Sequence, residues 1–402
     1  MATDKQTGPL NGVRVLDLTN VLAGPFACHQ LAHLGADVIK VEAVGKGDLA
    51  RNLGSDPDLS AAGMGISFLA QNAGKSSLTL NLKDPRGKDV LKQLVQGADV
   101  LVENYRPGVM ERLSLSYDTL KQINPNLVYC AISGFGQTGP WADRPAYDQI
   151  IQGVSGVMSI TGDARSAPLR VGYPLADTIG GLTAAMAICS ALNATPRGAY
   201  IDVSMLESVL ATMGWVVSNH LIGGVAPSAQ GNENPTSAPS GAFQCSDGLI
   251  NIAANKDEQW AALARHLGRE DLLSKDVFLT REDRKTNRLR LKAELETVLT
   301  TRSARDWAEE LNSLGVPAGA VLSVPEALAT AQITNRDFIT RFVSVPGVDR
   351  PVDVVSVGAM FDGTRPTVST PPPKLGQDTT SILENLGYSR IQIETLRKEG
   401  VI

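Results

Sequence analysis

Val13-Arg-Val-Leu-Asp-Leu-Thr19, a helical pattern opening at Ala23-Gly24-Pro25 and closing at Gly35, and then Val38-Ile-Lys-Val-Glu42 form the stretch that decides the fold. The two aliphatic runs predict strands. Proline near a helix start has its φ already set, and glycine just past the end takes a left-handed conformation that other residues avoid. Strand, helix and strand joined this closely make a βαβ unit with parallel strands. The alternation continues through a helix around Gly87–Gln96, a strand at Val100–Glu103, a helix around Tyr117–Ile123 and a strand at Val128–Ser133. The fold class this predicts is α/β, with a doubly wound, mostly parallel sheet.

Beyond it, Ile179–Ala194 is the most apolar stretch, and it falls short of the roughly 20 residues that span a bilayer, so a core helix is expected. Tyr200–Val203 reads as a strand and Met205–Leu221 as an amphipathic helix. Residues 223–240 turn to Gly, Pro, Ser, Asn and Ala, as linkers do. A hairpin follows, turning at Asp247-Gly248, then helical patterns at Glu258–Leu267, Asn287–Thr300 and Ala304–Leu314 and a strand at Ala318–Leu322. The expected organisation is a large domain over 1–222, a linker over 223–240, a smaller α/β domain over 241–327, and a linker with a C-terminal part over 328–402.

The chain carries 42 acidic against 37 basic residues, and no basic run marks a nucleic-acid or anionic-membrane partner. The first nine residues lack the apolar core of a signal peptide. Four cysteines, with no C-x-x-C spacing, read as reduced thiols, and a cytoplasmic location is expected.

Several motifs compete for the chemistry. Gly134-Phe-Gly136-Gln-Thr-Gly139 matches the G-x-G-x-x-G of dinucleotide sites and follows a strand. Pro140 and Pro145 interrupt the helix that would receive a pyrophosphate, and no acidic residue stands about 20 positions on, so a tight loop is expected instead. His29 and His33 share a helix face, yet four histidines in the whole chain leave few third ligands, and a structural role with no metal is expected. Gly153-Val-Ser-Gly156 only approaches a nucleophile elbow. Asp177, in Pro174-Leu-Ala-Asp-Thr-Ile-Gly-Gly181, puts one carboxylate directly before the apolar helix. The ordinary reading is an N-cap. The functional reading is a nucleophile kept ionised by the helix N-terminus. The two are compatible.

Taken together, Arg14-Val-Leu-Asp-Leu-Thr-x-Val-Leu-Ala-Gly-Pro25, Gly35-Ala-Asp-Val-Ile-Lys-Val-Glu42, Lys75-Ser-Ser-Leu-Thr-Leu-Asn-Leu-Lys83, Val102-Glu-Asn-Tyr-Arg-Pro-Gly108, Gly134–Pro140 and Pro373-Lys-Leu-Gly376 resemble the class III CoA-transferases, the CaiB–BaiF family, to which the α-methylacyl-CoA racemases are related. The resemblance covers nearly the whole chain. It implies a Rossmann-like domain built from the N- and C-terminal parts, an interlocked homodimer, and acyl-CoA and a small carboxylic acid as partners, with no tightly bound cofactor. It places CoA against Leu22 and Ala23, against Leu80, Asn81, Leu82 and Lys83, and against Asn104, Tyr105, Arg106 and Arg112. Tyr147 and Asp148 would frame the thioester. Ala43 departs from the family, whose members often carry Arg there, and Lys46 or Arg51 is expected to make the phosphate contact in its place.

By the same resemblance Asp177 attacks the donor thioester, passing through a mixed anhydride to an aspartyl-CoA thioester, with oxyanion donors expected near Gly180-Gly181 or in the Gly134–Gly139 loop. The racemase alternative needs a histidine about 30 residues before that aspartate, where this chain has Tyr147, and an ordinary tyrosine is a poor base at neutral pH. A non-catalytic CoA-binding protein is the remaining alternative, and Asp177 speaks against it. The glycine-rich loop of some formyl-CoA transferases is missing at Asn234–Gly241, which argues against oxalate or formate; by analogy with the family, a small or medium carboxylic acid, such as the dicarboxylate succinate, is the expected acid.

Overall fold

A computed structural model describes residues 8–402. Six strands, β1 (Arg14–Asp17), β2 (Asp37–Glu42), β3 (Lys75–Thr79), β4 (Val100–Glu103), β5 (Val128–Ser133) and β6 (Ala199–Ser204), form one sheet in the order β3-β2-β1-β4-β5-β6. Every pairing in it is parallel. All four β4 residues are buried, as are all β2 residues but Asp37, because helices cover both faces. The order reverses between β1 and β4, which opens a crevice at the carboxyl ends of these two strands.

One face carries α1 (Ala23–His33). The other carries α2 (Pro85–Gln96) and α3 (Tyr117–Ile123), whose Val90, Leu91, Leu94 and Leu120 share a core with Leu16, Ile39, Leu78 and Leu101 of the sheet. Asp84 caps α2 by accepting from the Arg86 N–H, and Pro85 occupies its first position. After β5 the chain forms α4 (Asp148–Val154) and α5 (Leu175–Leu192), and after β6 it forms α6 (Met205–Thr212) and α7 (Trp215–Gly223). The chain end returns to the α2 face: Leu383, Ile393, Leu396, Val401 and Ile402 join that core, and Asn81 donates its N–H to the Val401 carbonyl at 2.8 Å.

α5 differs from the core helix expected of it. One face is buried through Gly180, Gly181, Ala184, Ala185 and Ile188, whereas Leu182 and Met186 stand outside, Met186 at 66% exposure. Composition does not distinguish the two, because α5 is apolar all round. α5 packs against α1 at close range. A Cβ on Gly181 would lie 2.6 Å from the Ala23 carbonyl oxygen, so only glycine permits the approach.

The loop after β1 rests on a buried charge cluster. Lys75 Nζ donates to Asp17 Oδ2 at 2.8 Å and to the Pro25 carbonyl at 2.9 Å. Lys40 Nζ meets Asp48 Oδ2 at 2.9 Å and the Thr19 carbonyl at 2.8 Å. Burial alone would raise the Asp17 pKa, yet Lys40 and Lys75 outweigh it and hold the carboxyl below its ordinary value.

The chain divides into two compact units. The first comprises the described residues up to Val157 with Arg170–Val225 and Thr334–Ile402, and the second comprises Met158–Leu169 and Ala226–Ile333. Composition draws its boundary at the 223–240 linker and does not anticipate that 158–169 cluster with the second unit. There, β7 (Ser240–Gln244), β8 (Leu249–Ala253) and β9 (Ala318–Ala320) make an antiparallel sheet, with the β7–β8 turn closed by Cys245 N–H to the Gly248 carbonyl at 2.7 Å. Trp260, Leu263, Phe278, Leu295, Trp307 and Leu311 fill its core. All four cysteines are unpaired.

Candidate active site

At the carboxyl ends of the first strands lies an open cleft of about 520 Å³, lined by Val41–Val44, Leu80–Lys83, Tyr105, Val109, Leu113 and Gly400. The sequence-predicted Leu80, Asn81, Leu82, Lys83 and Tyr105 are therefore brought together, with Ala43 in the same wall. Burial pushes the Tyr105 phenol up to about 12, with the Glu103 charge adding to it, so it faces the cleft neutral. Arg106 and Arg112 are exposed beside the Val109–Leu113 turn and do not line the cleft. Among the described residues, the side chains of Lys83, Arg106 and Arg112 make no ion pair or hydrogen bond, although the Lys83 backbone N–H donates to Asn81 Oδ1 at 3.1 Å. All three are uncommitted donors for phosphate oxygens.

Leu22, Ala23 and Asn104 serve the loop rather than the cleft wall. Leu22 precedes α1, and its carbonyl accepts from the Phe26 N–H. Ala23 is buried against Gly181. The Asn104 side chain is spent on Asn20, accepting from its N–H and donating to its carbonyl, each at 2.8 Å. That pair ties the end of β4 to the loop after β1. Arg51 does not stand in for the arginine missing at Ala43. It is buried and forks onto both Glu42 oxygens at 2.7 Å, and its remaining donors go to the Gly63 and Pro373 carbonyls. Lys46 remains exposed in the same turn.

The second part of the site is the mouth of α5. Asp177 is not its N-cap: Pro174 holds that position, and Asp177 is the third helical residue, partly buried. Asp148 does the capping from α4, accepting the Ala176 N–H on Oδ1 at 2.8 Å. Its Oδ2 accepts from Gln152 Nε2 at 2.8 Å and from Arg170 Nη2 at 3.3 Å. Gln152, fully buried, also takes the Val171 N–H on Oε1 and donates to the Tyr173 carbonyl, which pins the loop leading into α5.

No such partner reaches the Asp177 carboxylate among the described residues. Burial raises its pKa to about 7, with the neighbouring Asp148 charge adding to the shift. The expectation of a carboxylate kept ionised by the helix terminus is thereby corrected. The dipole contributes only about 0.3–1 kcal/mol at an exposed end, and here desolvation and a like charge oppose it. Tyr147, just before α4, turns its ring outward at 67% exposure.

Of the two expected oxyanion sources, the glycine pair is closed by packing and the loop has one of its N–H groups engaged. Gly180 and Gly181 are the sixth and seventh residues of α5, past the turn whose N–H groups are free, and their open faces are filled by Met205 and Ala23. In the Gly134–Gly139 loop the Gln137 N–H meets both Asp202 oxygens, at 2.9 and 3.1 Å. No helix follows this loop until α4, so a dinucleotide site has no place to form. The imidazoles of His29 and His33 meet at 3.1 Å, with the Ala73 carbonyl and Ser356 on their other nitrogens, which accounts for both as interior hydrogen-bonding groups.

Sequence reasoning singled out neither Gln152 nor Arg170. Gln152 was detectable as the i+4 neighbour of Asp148 on a helix. Arg170 had no such signal, because its partner lies on another element.

Comparison with known proteins agrees with this architecture. Residues 10–379 match the family described as CoA-transferase family III. An acetyl-CoA:oxalate CoA-transferase of Acetobacter aceti is 40% identical over 87% of this chain and 90% of its own. A succinyl-CoA:glutarate CoA-transferase of Mus musculus is 36% identical over 98% of this chain and 90% of its own. The crystal structure of a CaiB/BaiF family protein from Brucella suis superposes with a TM-score of 0.83 at 34% identity, covering 95% of this chain and 100% of that one. The chain belongs to CoA-transferase family III.

Proposed function

We propose that this CoA-transferase moves CoA from an acyl-CoA donor to a dicarboxylic acid, with Asp177 as the nucleophile. The observation that carries the reading is the Asp177 carboxylate at the mouth of α5, without a hydrogen-bonding partner among the described residues and raised to a pKa of about 7. Once ionised, a carboxylate of higher pKa is a better nucleophile than an ordinary one. Asp177 attacks the donor carbonyl, the C–S bond breaks, and CoA leaves as thiolate from a mixed anhydride. The thiolate then attacks the aspartyl carbonyl, releasing the donor acid as carboxylate and leaving an aspartyl-CoA thioester. An acceptor carboxylate reverses both steps and departs as the new acyl-CoA. No net proton is needed.

The cleft at Leu80–Lys83 and Tyr105 holds the nucleotide end of CoA in this reading, with Lys83, Arg106 and Arg112 meeting its phosphates. Tyr147 and Asp148 frame the thioester. Relatives named for oxalate and for glutarate support a dicarboxylate acceptor. The oxalate relative supports keeping oxalate among the candidate acids. The exposed Met186 of α5 and Trp215, Leu221 and Ile222 of α7 form apolar surface that an interlocked second copy is proposed to cover. Four unpaired cysteines support a reducing, cytoplasmic setting.

The test is a panel of acyl-CoA donors and free acids followed by mass spectrometry. Wild type is expected to form new acyl-CoA and a CoA adduct on Asp177. Asp177→Ala and Asp177→Asn are expected to lose transfer by about 10³-fold or more. Transfer at the wild-type rate by Asp177→Ala would falsify the assignment.

A further inference from the structure

We infer that Arg170 receives the far carboxylate of the dicarboxylic acceptor and so sets the preference for diacids over monoacids; this rests on the transferase reading above. The geometry begins with Asp148, whose two oxygens face different ways. Oδ1 accepts the N–H of Ala176, the residue before Asp177, and Oδ2 meets Arg170 Nη2. One carboxylate thus holds the Arg170 guanidinium and the first turn of α5 no more than about 8 Å apart. An acid whose near carboxylate reacts at Asp177 can therefore extend its far end toward Arg170.

The way Arg170 uses its donors separates it from the structural arginines of this chain. Arg51 commits Nε, Nη1 and Nη2 to Glu42 and backbone carbonyls, and Arg284 likewise spends Nε, Nη1 and Nη2 on Ala238, Phe278, Leu279 and Asp257. Both are buried. Among the described residues, the Arg170 side chain makes a single polar contact, Nη2 to Asp148 Oδ2 at 3.3 Å, and it is 44% exposed. A guanidinium has five N–H donors arranged as a fork that fits a carboxylate on two prongs, so most of this fork is without a partner among the described residues. A monoacid of equal length leaves it so, whereas a diacid fills it.

Paired acceptors of matched length test this: succinate against butyrate and glutarate against pentanoate, with whichever of acetyl-CoA and succinyl-CoA wild type uses as donor. The readout is the ratio of kcat/KM for diacid over monoacid, in which donor effects cancel. Arg170→Gln is expected to lower that ratio about 10- to 100-fold, mainly through KM for the diacid, as loss of a charge-assisted contact does. Arg170→Lys, which keeps the charge and loses the fork, is expected to fall between. Should Arg170→Gln melt well below wild type, the Lys variant decides, with a several-fold fall still expected.

A merely structural Arg170 would act through Asp148, so Arg170→Gln would copy Asp148→Asn, slowing both acids alike and leaving the ratio within about twofold of wild type. That result overturns the inference and leaves the transferase reading standing. A wild-type protein that transfers CoA to no acid overturns both.

Discussion

Two carboxylates at the mouth of α5 have divided the tasks that one aspartate usually performs. Asp148 satisfies the helix N–H, and Asp177 is left without a donor among the described residues, partly buried and next to a like charge. The donor half-reaction needs the Asp177 anion, so its kcat/KM should rise with pH through about 7, measured by rapid-quench mass spectrometry of the CoA adduct. Asp148→Asn keeps an oxygen for the Ala176 N–H but removes the charge. The midpoint should then move to lower pH, stopping short of the ordinary carboxylate range because burial is the larger cause. The same shift bears on stability. A carboxyl whose folded pKa exceeds its unfolded value stabilises below the unfolded pKa and loses that contribution as pH rises through the folded one. Asp177→Asn should therefore melt higher than wild type at pH 8, with the difference vanishing as pH falls to about 4, by calorimetry at both pH values.

At the scale of elements, the site depends on how closely α1 and α5 approach. The loop after β1 is held by Asp17, Lys75, Asp48 and Asn104, and α5 is held against it by the bare face of Gly181. Gly181→Val would drive a branched side chain into the Ala23 carbonyl and Phe26, at a cost of about 1–3 kcal/mol or more, read from urea unfolding. Because α5 carries Asp177, transfer should fall in the same variant even where it remains folded.

Across the whole molecule, the most telling surface is apolar. Met186 on α5 and Ile222 on α7, the latter 87% exposed, belong to faces with no partner within the chain among the described residues. Light scattering is expected to give twice the chain mass, and Ile222→Glu with Leu221→Glu should shift it toward the monomer. A stable wild-type monomer would remove the interlocked dimer from the proposal.

The doubly wound sheet was legible from β1, α1 and β2 onward, because strands buried on both faces must be continuously apolar and helices must alternate with them. The cleft residues Leu80–Lys83 and Tyr105 and the position of Asp177 could likewise be named from motifs, since each lies within a few residues of a strand end or helix start. Tertiary structure alone decided the surroundings of Asp177. Its third-residue position, the transfer of capping to Asp148 and the contact from Arg170 join segments more than twenty residues apart, and hydrogen bonding across elements leaves no periodicity to read. The same holds for Arg51, whose charge looks available in sequence and is consumed by Glu42 in the fold. A sequence states which groups are ionisable, while burial and the nearest charges set which of them are free and protonated, and those are properties of the packed chain.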